Sequence, residues 1–151
     1  MRILILNGPN LNLLGKRDNQ HYGDLSLDKL EEIIKKEFPK HQFNFFQSNI
    51  EGELIDRIQI SAEEFDALII NPGGYAHSSV AIRDALAEVS LVKIEVHLSH
   101  LAKREDFRQS LITATVCDGY ISGFKEYSYL AAVYLIEKII TNSNTYQNLK
   151  R

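Results

Sequence analysis

Cysteine is nearly absent from this chain. Cys117 stands alone, so no intramolecular disulfide can form and a disulfide-stapled secreted scaffold is excluded. Long hydrophobic runs are missing as well. No segment approaches the about eighteen continuous apolar residues of a membrane span, and the apolar start, Ile3 to Leu6, is shorter than the core of a secretory signal. Neither sign of charge dominates. The 17 Lys and Arg against 20 Asp and Glu leave a formal net charge of -3, spread along the chain, without the basic stripe that a nucleic-acid or anionic-membrane binder needs. These absences predict a cytoplasmic protein with a small-molecule or protein partner, no nucleic acid and no membrane. No G-x-G-x-x-G follows an apolar run and no Walker-type glycine loop is present, so nucleotide phosphates lack their usual cradle. His97 and His100 form an H-x-x-H, but no cysteine or carboxylate cluster completes a ligand set. The expectation is no metal and no cofactor.

What is present is an ordinary globular composition, 44% hydrophobic and 25% charged over 151 residues. That is one domain's worth of chain, enough to bury a core unaided. With no internal repeat, low-complexity tract or linker, residues 1–151 read as a single domain. Apolar runs bounded by turn residues alternate with segments of helical period, the signature of βαβ units. Strands are predicted at Arg2 to Asn7, Gln42 to Gln47, Asp66 to Asn71, Val92 to Leu98 and, more weakly, Gly119 to Phe124. The first helix should run from the cap Ser26 to Phe38, with Leu27, Leu30, Ile34 and Phe38 on one stripe and Pro39 as the stop. Ile50, Leu54, Ile55 and Ile58 give the next helix its buried face. Ile82, Ala85, Leu86 and Val89 do the same for a helix from Ser79 to Val89, which turns Asp84 away from the core. The last helix, Glu126 to Ile140, is apolar nearly all round, more than one sheet face can cover, and a subunit interface is one way to cover the rest. The fold class expected is α/β, a doubly wound domain with a five-stranded parallel sheet, for which the flavodoxin-like strand order 2-1-3-4-5 is assumed.

Open parallel sheets bind ligands beyond the carboxyl ends of their strands, where the winding reverses. After the first strand comes "NGPNLNLLGKRDNQHYG", after the third "NPGGYAHSS", and after the fourth "HLSH". In the order 2-1-3-4-5 these three strands are neighbours, so the segments should line one crevice. The first supplies Asn10 and Asn12 as neutral hydrogen-bonding groups, Arg17 as a fixed cation and Tyr22 as a phenol. A phenol is an acid by default, with a pKa near 10, but a nearby guanidinium favours the phenolate. Arg17 can therefore make Tyr22 a base. Taken alone, the pair reads more readily as a loop tyrosine beside an ordinary surface arginine.

In "IEVH" strand alternation puts Glu95 and His97 on one face. A carboxylate fixes which ring nitrogen carries the proton and stabilises the imidazolium, preparing His97 as a general acid. A satisfied histidine at a strand end is the plainer alternative. His77 precedes Ser78 and Ser79 at an expected helix N-terminus, where free amides face anions or hydroxyls, although "NPGG" followed by serine caps is also a common turn. Asn71, at a strand end, points its amide into the crevice. Arg104 and Arg108 lie one helical turn apart, sharing a face with Glu105 or approaching the crevice, and paired surface charges are the plainer account of most of that run. From these residues a noncatalytic flavodoxin-like binding or signalling domain stays open, though a phospho-receiver would want an aspartate in place of Asn71 and a flavin binder a Ser/Thr-rich loop after the first strand. Another lyase or hydratase acting on a related hydroxy-carboxylate stays open too.

Together, "NGPNLNLLGKRD", the "YG" at Tyr22, "NPGGYAHSSVAIRDAL" and "IEVHLSH" with "KREDFR" closely resemble the type II 3-dehydroquinate dehydratases, over roughly residues 2–108 and more loosely beyond. The resemblance implies a cofactor-independent lyase that converts 3-dehydroquinate reversibly to 3-dehydroshikimate through an enolate, in the shikimate pathway of aromatic amino acid biosynthesis or in quinate breakdown. It implies a homododecamer, a tetramer of trimers. By the same resemblance Tyr22 is the base, Arg17 its activator, Asn10 the enolate's partner, His97 the general acid and Glu95 the partner of His97. Substrate contacts fall on Asn71, His77, Leu98, Ser99 and Arg108, and Asp84 matches an aspartate that reaches a neighbouring subunit's site. The chain departs from the family pattern at Lys93, where proline is usual, at His100, where asparagine is usual, at "DNQ" before Tyr22, at Leu111 in place of a serine, and at Lys125 in place of a glycine.

Overall fold

The computed structural model describes residues 1–16 and 24–142. Five strands form one parallel sheet: β1 (Arg2–Asn7), β2 (Gln42–Gln47), β3 (Ala67–Asn71), β4 (Val92–His97) and β5 (Gly119–Ser122). Their order is β2-β1-β3-β4-β5, the order expected from the sequence. Four α-helices connect or follow them: α1 (Leu27–Glu37), α2 (Glu51–Glu64), α3 (Val80–Glu88) and α4 (Glu126–Thr141).

β1 and β3 are buried on both faces, which is why they read as unbroken aliphatic runs rather than alternating ones. Ile3, Ile5, Ala67, Ile69, Ile94 and Val96 face Leu30 and Ile34 of α1 and Tyr129, Ala132, Val133 and Ile136 of α4. Leu4, Leu6, Leu68 and Ile70 face Leu54 and Ile58 of α2 and Ile82, Ala85 and Leu86 of α3. Two helices on each side make the sheet doubly wound. Each fully buried Leu or Ile contributes about 1.5–3 kcal/mol relative to exposure.

Local chemistry sets the boundaries. The Ser26 hydroxyl accepts from the Lys29 amide at 3.2 Å and starts α1, while the Ser79 hydroxyl accepts from the Ile82 amide at 2.9 Å and starts α3. Asp66 lies just outside β3 because its carboxylate accepts from the Arg2 amide at 2.7 Å, tying the strand's start to β1. Ile50 does not join the buried face of α2: it caps that helix and is 59% exposed. β5 stops at Ser122, short of Phe124, because Gly123 turns the chain at φ 99° against His100, where a Cβ would lie 3.2 Å from His100. On α4, Tyr127, Tyr134 and Leu135 remain exposed. Among the described residues no helix is long and apolar enough to cross a membrane.

The loops leaving β1 and β3 touch. The Gly8 amide donates to the Asn71 carbonyl at 2.7 Å, and a Cβ on Gly8 would stand 2.5 Å from the Pro72 carbonyl oxygen. Only glycine lets the two backbones approach so closely.

Candidate active site

A cavity of about 310 Å³ opens beyond the carboxyl ends of β1, β3 and β4, the place where an open parallel sheet presents its loops. Pro9, Asn10, Leu11, Leu13 and Leu14 come from the segment after β1, Asn71, Gly73, Gly74 and His77 from the end of β3, and His97, Leu98, Ser99, Leu101, Arg104 and Arg108 from β4 onward. The three odd segments of the sequence therefore meet in one place.

His97 is held from beneath. Its Nε2–H donates to Glu95 Oε1 at 2.7 Å, and the Thr113 hydroxyl donates to Glu95 Oε2 at 2.6 Å. Glu95 and Thr113 are wholly buried and His97 nearly so. A carboxylate that accepts from both sides is a satisfied buried charge rather than an orphan. With Nε2 committed, Nδ1 is the ring nitrogen of His97 left for the cavity, and it has no partner among the described residues. The strand end itself is clamped. The His97 carbonyl accepts from the Ser128 hydroxyl and the Gly123 amide, each at 3.2 Å, and the Leu98 carbonyl from the Lys125 amide at 3.1 Å.

His77 lies beside it, ring centroids 6.4 Å apart and planes 24° from parallel. Its Nδ1–H donates to the Ser110 carbonyl at 2.8 Å, which leaves Nε2 buried without a protein partner among the described residues. A buried acceptor of this kind is ready for a hydroxyl group of a ligand. Asn71 is oriented by neutral groups. Its Nδ2 donates to the Tyr129 hydroxyl at 3.0 Å, its Oδ1 accepts from the Gly73 amide at 3.2 Å, and Tyr129 donates onward to Asn7 Oδ1 at 2.6 Å. Burial pushes the Tyr129 phenol above its usual range, so it stays a neutral hydrogen-bonding link.

Asn10 sits in the left-handed region at φ 68°, which asparagine tolerates better than most residues. Its amide donates to Asn49 Oδ1 at 2.9 Å and its carbonyl accepts from the Leu13 amide, which anchors the turn against the loop after β2. Asn12 is exposed and stays out of the cavity wall. On the opposite rim the Arg108 guanidinium donates from Nε to Glu105 at 2.8 Å, and Arg104 donates to the Ser99 hydroxyl and to Glu105, each at 3.3 Å. A hydrogen bond to backbone, and then the one from Arg108, hold the Glu105 carboxyl down from 4.5 to about 2. The rim stays charged, and two guanidiniums facing a small cavity suit a carboxylate ligand. Arg104 is a wall residue that sequence reasoning left among paired surface charges. The run "KREDFR" forms two short 3-10 turns instead of a longer helix, which brings both arginines to the same rim.

Of the residues singled out in the sequence, Asn10, Asn71, His77, His97, Leu98, Ser99 and Arg108 line the cavity, and Glu95 lies directly behind it. Asp84 is exposed on α3, paired with Arg83 at 2.8 Å and outside this cavity wall. Arg17 and Tyr22 lie outside the described residues. No group of three or more His, Cys, Asp or Glu side chains arranged to hold a metal occurs among the described residues.

Comparison with known proteins places the whole chain in a family. The family model for dehydroquinase class II matches residues 1–137. The 3-dehydroquinate dehydratase of Thermotoga neapolitana is 46% identical over 146 residues, covering 95% of this chain and 99% of its own. The crystal structure of type II dehydroquinase from Butyrivibrio crossotus superposes with a TM-score of 0.88 at 42% identity, over 91% of this chain and 97% of that one. The type II dehydroquinase of Propionibacterium acnes gives 0.84 at 33% identity, over 90% and 96%. With the family model spanning nearly the whole described chain and relatives of this identity covered almost end to end, this chain belongs to the type II dehydroquinase family.

Proposed function

We infer that the chain is a carbon–oxygen lyase that dehydrates 3-dehydroquinate to 3-dehydroshikimate through an enolate, a step of the shikimate pathway, with residues 1–151 acting as one catalytic domain in the cytoplasm. The observation that carries this reading is His97, buried at the cavity floor with Nε2 tied to Glu95 and Nδ1 unpartnered among the described residues. When the ring carries a proton on both nitrogens, the one on Nδ1 can pass to a departing hydroxyl while Nε2 stays bonded to Glu95.

The Tyr22 phenolate, favoured by Arg17, removes a proton next to the substrate's ketone. Asn10 donates to the enolate oxygen. His97 protonates the hydroxyl at the adjacent position, which leaves as water and gives the conjugated enone. The electron pair of the broken C–H bond ends in the new double bond; the proton left on Tyr22 goes to solvent and solvent returns one to His97, which resets both groups. Asn71, His77, Leu98, Ser99 and Arg108 position the substrate, with Arg108 on its carboxylate. Acid and base are both side chains, so the reaction takes no cofactor and no metal. Asp84, directed away from its own core, reaches a neighbouring site in a homododecamer, a tetramer of trimers, whose contacts cover Tyr127, Tyr134 and Leu135.

The test adds metal-stripped protein to 3-dehydroquinate and follows the ultraviolet absorbance of the enone, with Tyr22→Phe alongside. Rapid turnover by the wild type and a loss on the order of 10²–10⁴ in the variant are expected. Near wild-type turnover in Tyr22→Phe would remove it as the base. No turnover by folded, assembled wild type would favour a binding domain.

A further inference from the structure

Thr113 belongs to none of the segments singled out above, yet it makes the second of the two contacts that hold the Glu95 carboxylate. We propose that Thr113 is a positioning residue of the reaction: its hydroxyl fixes the Glu95 carboxylate, which in turn fixes the ring and tautomer of His97. The proposal rests on His97 being the general acid.

With Glu95 ionised, the two contacts follow one pattern. A threonine hydroxyl has a single proton, and here it goes to Glu95 Oε2 at 2.6 Å while His97 gives its Nε2 proton to Oε1 at 2.7 Å. An ionised carboxylate accepts both; a neutral carboxylic acid would have to turn one contact round and donate its own proton, to His97 Nε2 or to the Thr113 hydroxyl. The hydroxyl therefore favours the form of Glu95 that keeps a proton on His97 Nε2 and directs Nδ1 to the cavity. The bond length fits a charge-assisted contact.

Thr113 is itself well held. It is wholly buried, its β-branched side chain is stiff at χ1, and its carbonyl accepts from the Val116 amide at 3.3 Å. The neighbouring Ile112 amide donates to the Ala76 carbonyl at 2.9 Å, and the Ser110 carbonyl accepts from His77. One short stretch, residues 110–113, thus fixes both histidines of the cavity, His77 directly and His97 through Glu95.

Thr113→Val keeps the shape and removes the proton donor, whereas Thr113→Ser keeps the donor and removes a methyl. The expected result is a fall in kcat of roughly tenfold or more for the valine variant, the size of one lost charge-assisted hydrogen bond, with KM little changed, and recovery of most of that loss in the serine variant. Equal losses in both, a valine variant with wild-type kcat, or a matching rise in KM would overturn the proposal. If Thr113→Val does not assemble, Thr113→Ala against Thr113→Ser gives the same reading. His97→Ala run in parallel separates the two levels. If it is crippled while Thr113→Val is normal, only the positioning role falls; if it turns over normally, the acid assignment falls and this proposal with it.

Discussion

At the end of β3 Asn71 is held by neutral partners, the Gly73 amide and Tyr129, itself bonded to Asn7, while at the end of β4 His97 is held by a carboxylate. The two ends are adjacent in the sheet and line the same cavity, yet they are fit for different work. The amide network fixes direction without moving a proton, because its one titratable member, Tyr129, is driven further from ionisation by burial. The network under His97 holds the ring through Nε2 and leaves Nδ1 to exchange a proton with whatever occupies the cavity. One strand end can recognise a ligand and its neighbour can react with it.

His97→Ala should break the reactive side alone. A loss in kcat on the order of 10²–10⁴ is expected, with the affinity for a substrate-like inhibitor, read by calorimetry, far less changed. Tyr129→Phe tests the other side. It leaves Asn7 and Asn71 short of a partner in a fully buried place, which should cost about 1–3 kcal/mol of stability, seen in thermal melts, and KM should rise more than kcat falls. If kcat fell as far as in His97→Ala, the division between the two strand ends would be wrong.

Lys125→Gly should give a smaller change, in the stabilising direction. Lys125, whose amide supports the Leu98 carbonyl just past the end of β4, has φ 50° and ψ -132°. A side chain there is strained by about 1–3 kcal/mol, and glycine is the residue the family usually has at this place. Denaturant melts of Lys125→Gly should shift to higher midpoint, partly offset by the added freedom of glycine in the unfolded chain.

Much of this was legible locally. The bounds of β1 and β2, the capping serines at 26 and 79, and the shared face of Glu95 and His97 follow from periods of two and 3.6 and from turn chemistry. The residues that orient the site were hidden, because they are far apart in sequence. Tyr129 lies 58 residues from Asn71 and 122 from Asn7, and Thr113 lies 18 from Glu95. Nothing in a linear pattern says which hydroxyl a buried carboxylate will find. Arg104 was read among paired surface charges because its run was given the spacing of an α-helix, whereas it lies in an extended link between two 3-10 turns that sets it on the cavity rim. Lys93, odd in the sequence, has a structural account. Its amide donates to the Asp118 carboxylate at 2.8 Å, a bond that proline cannot make, and its buried ammonium donates to the Val89 carbonyl at 2.6 Å, at the end of α3.

The close crossing of Gly8 over Pro72 has a consequence for how this pocket can vary. Any side chain at position 8 would act as a wedge, spreading the ends of β1 and β3 and carrying Asn10 away from Asn71. The base of the pocket thus has a fixed gauge. New ligand preferences are open to changes at the arginine rim, whereas the spacing of the amides below is set by two backbones already in contact.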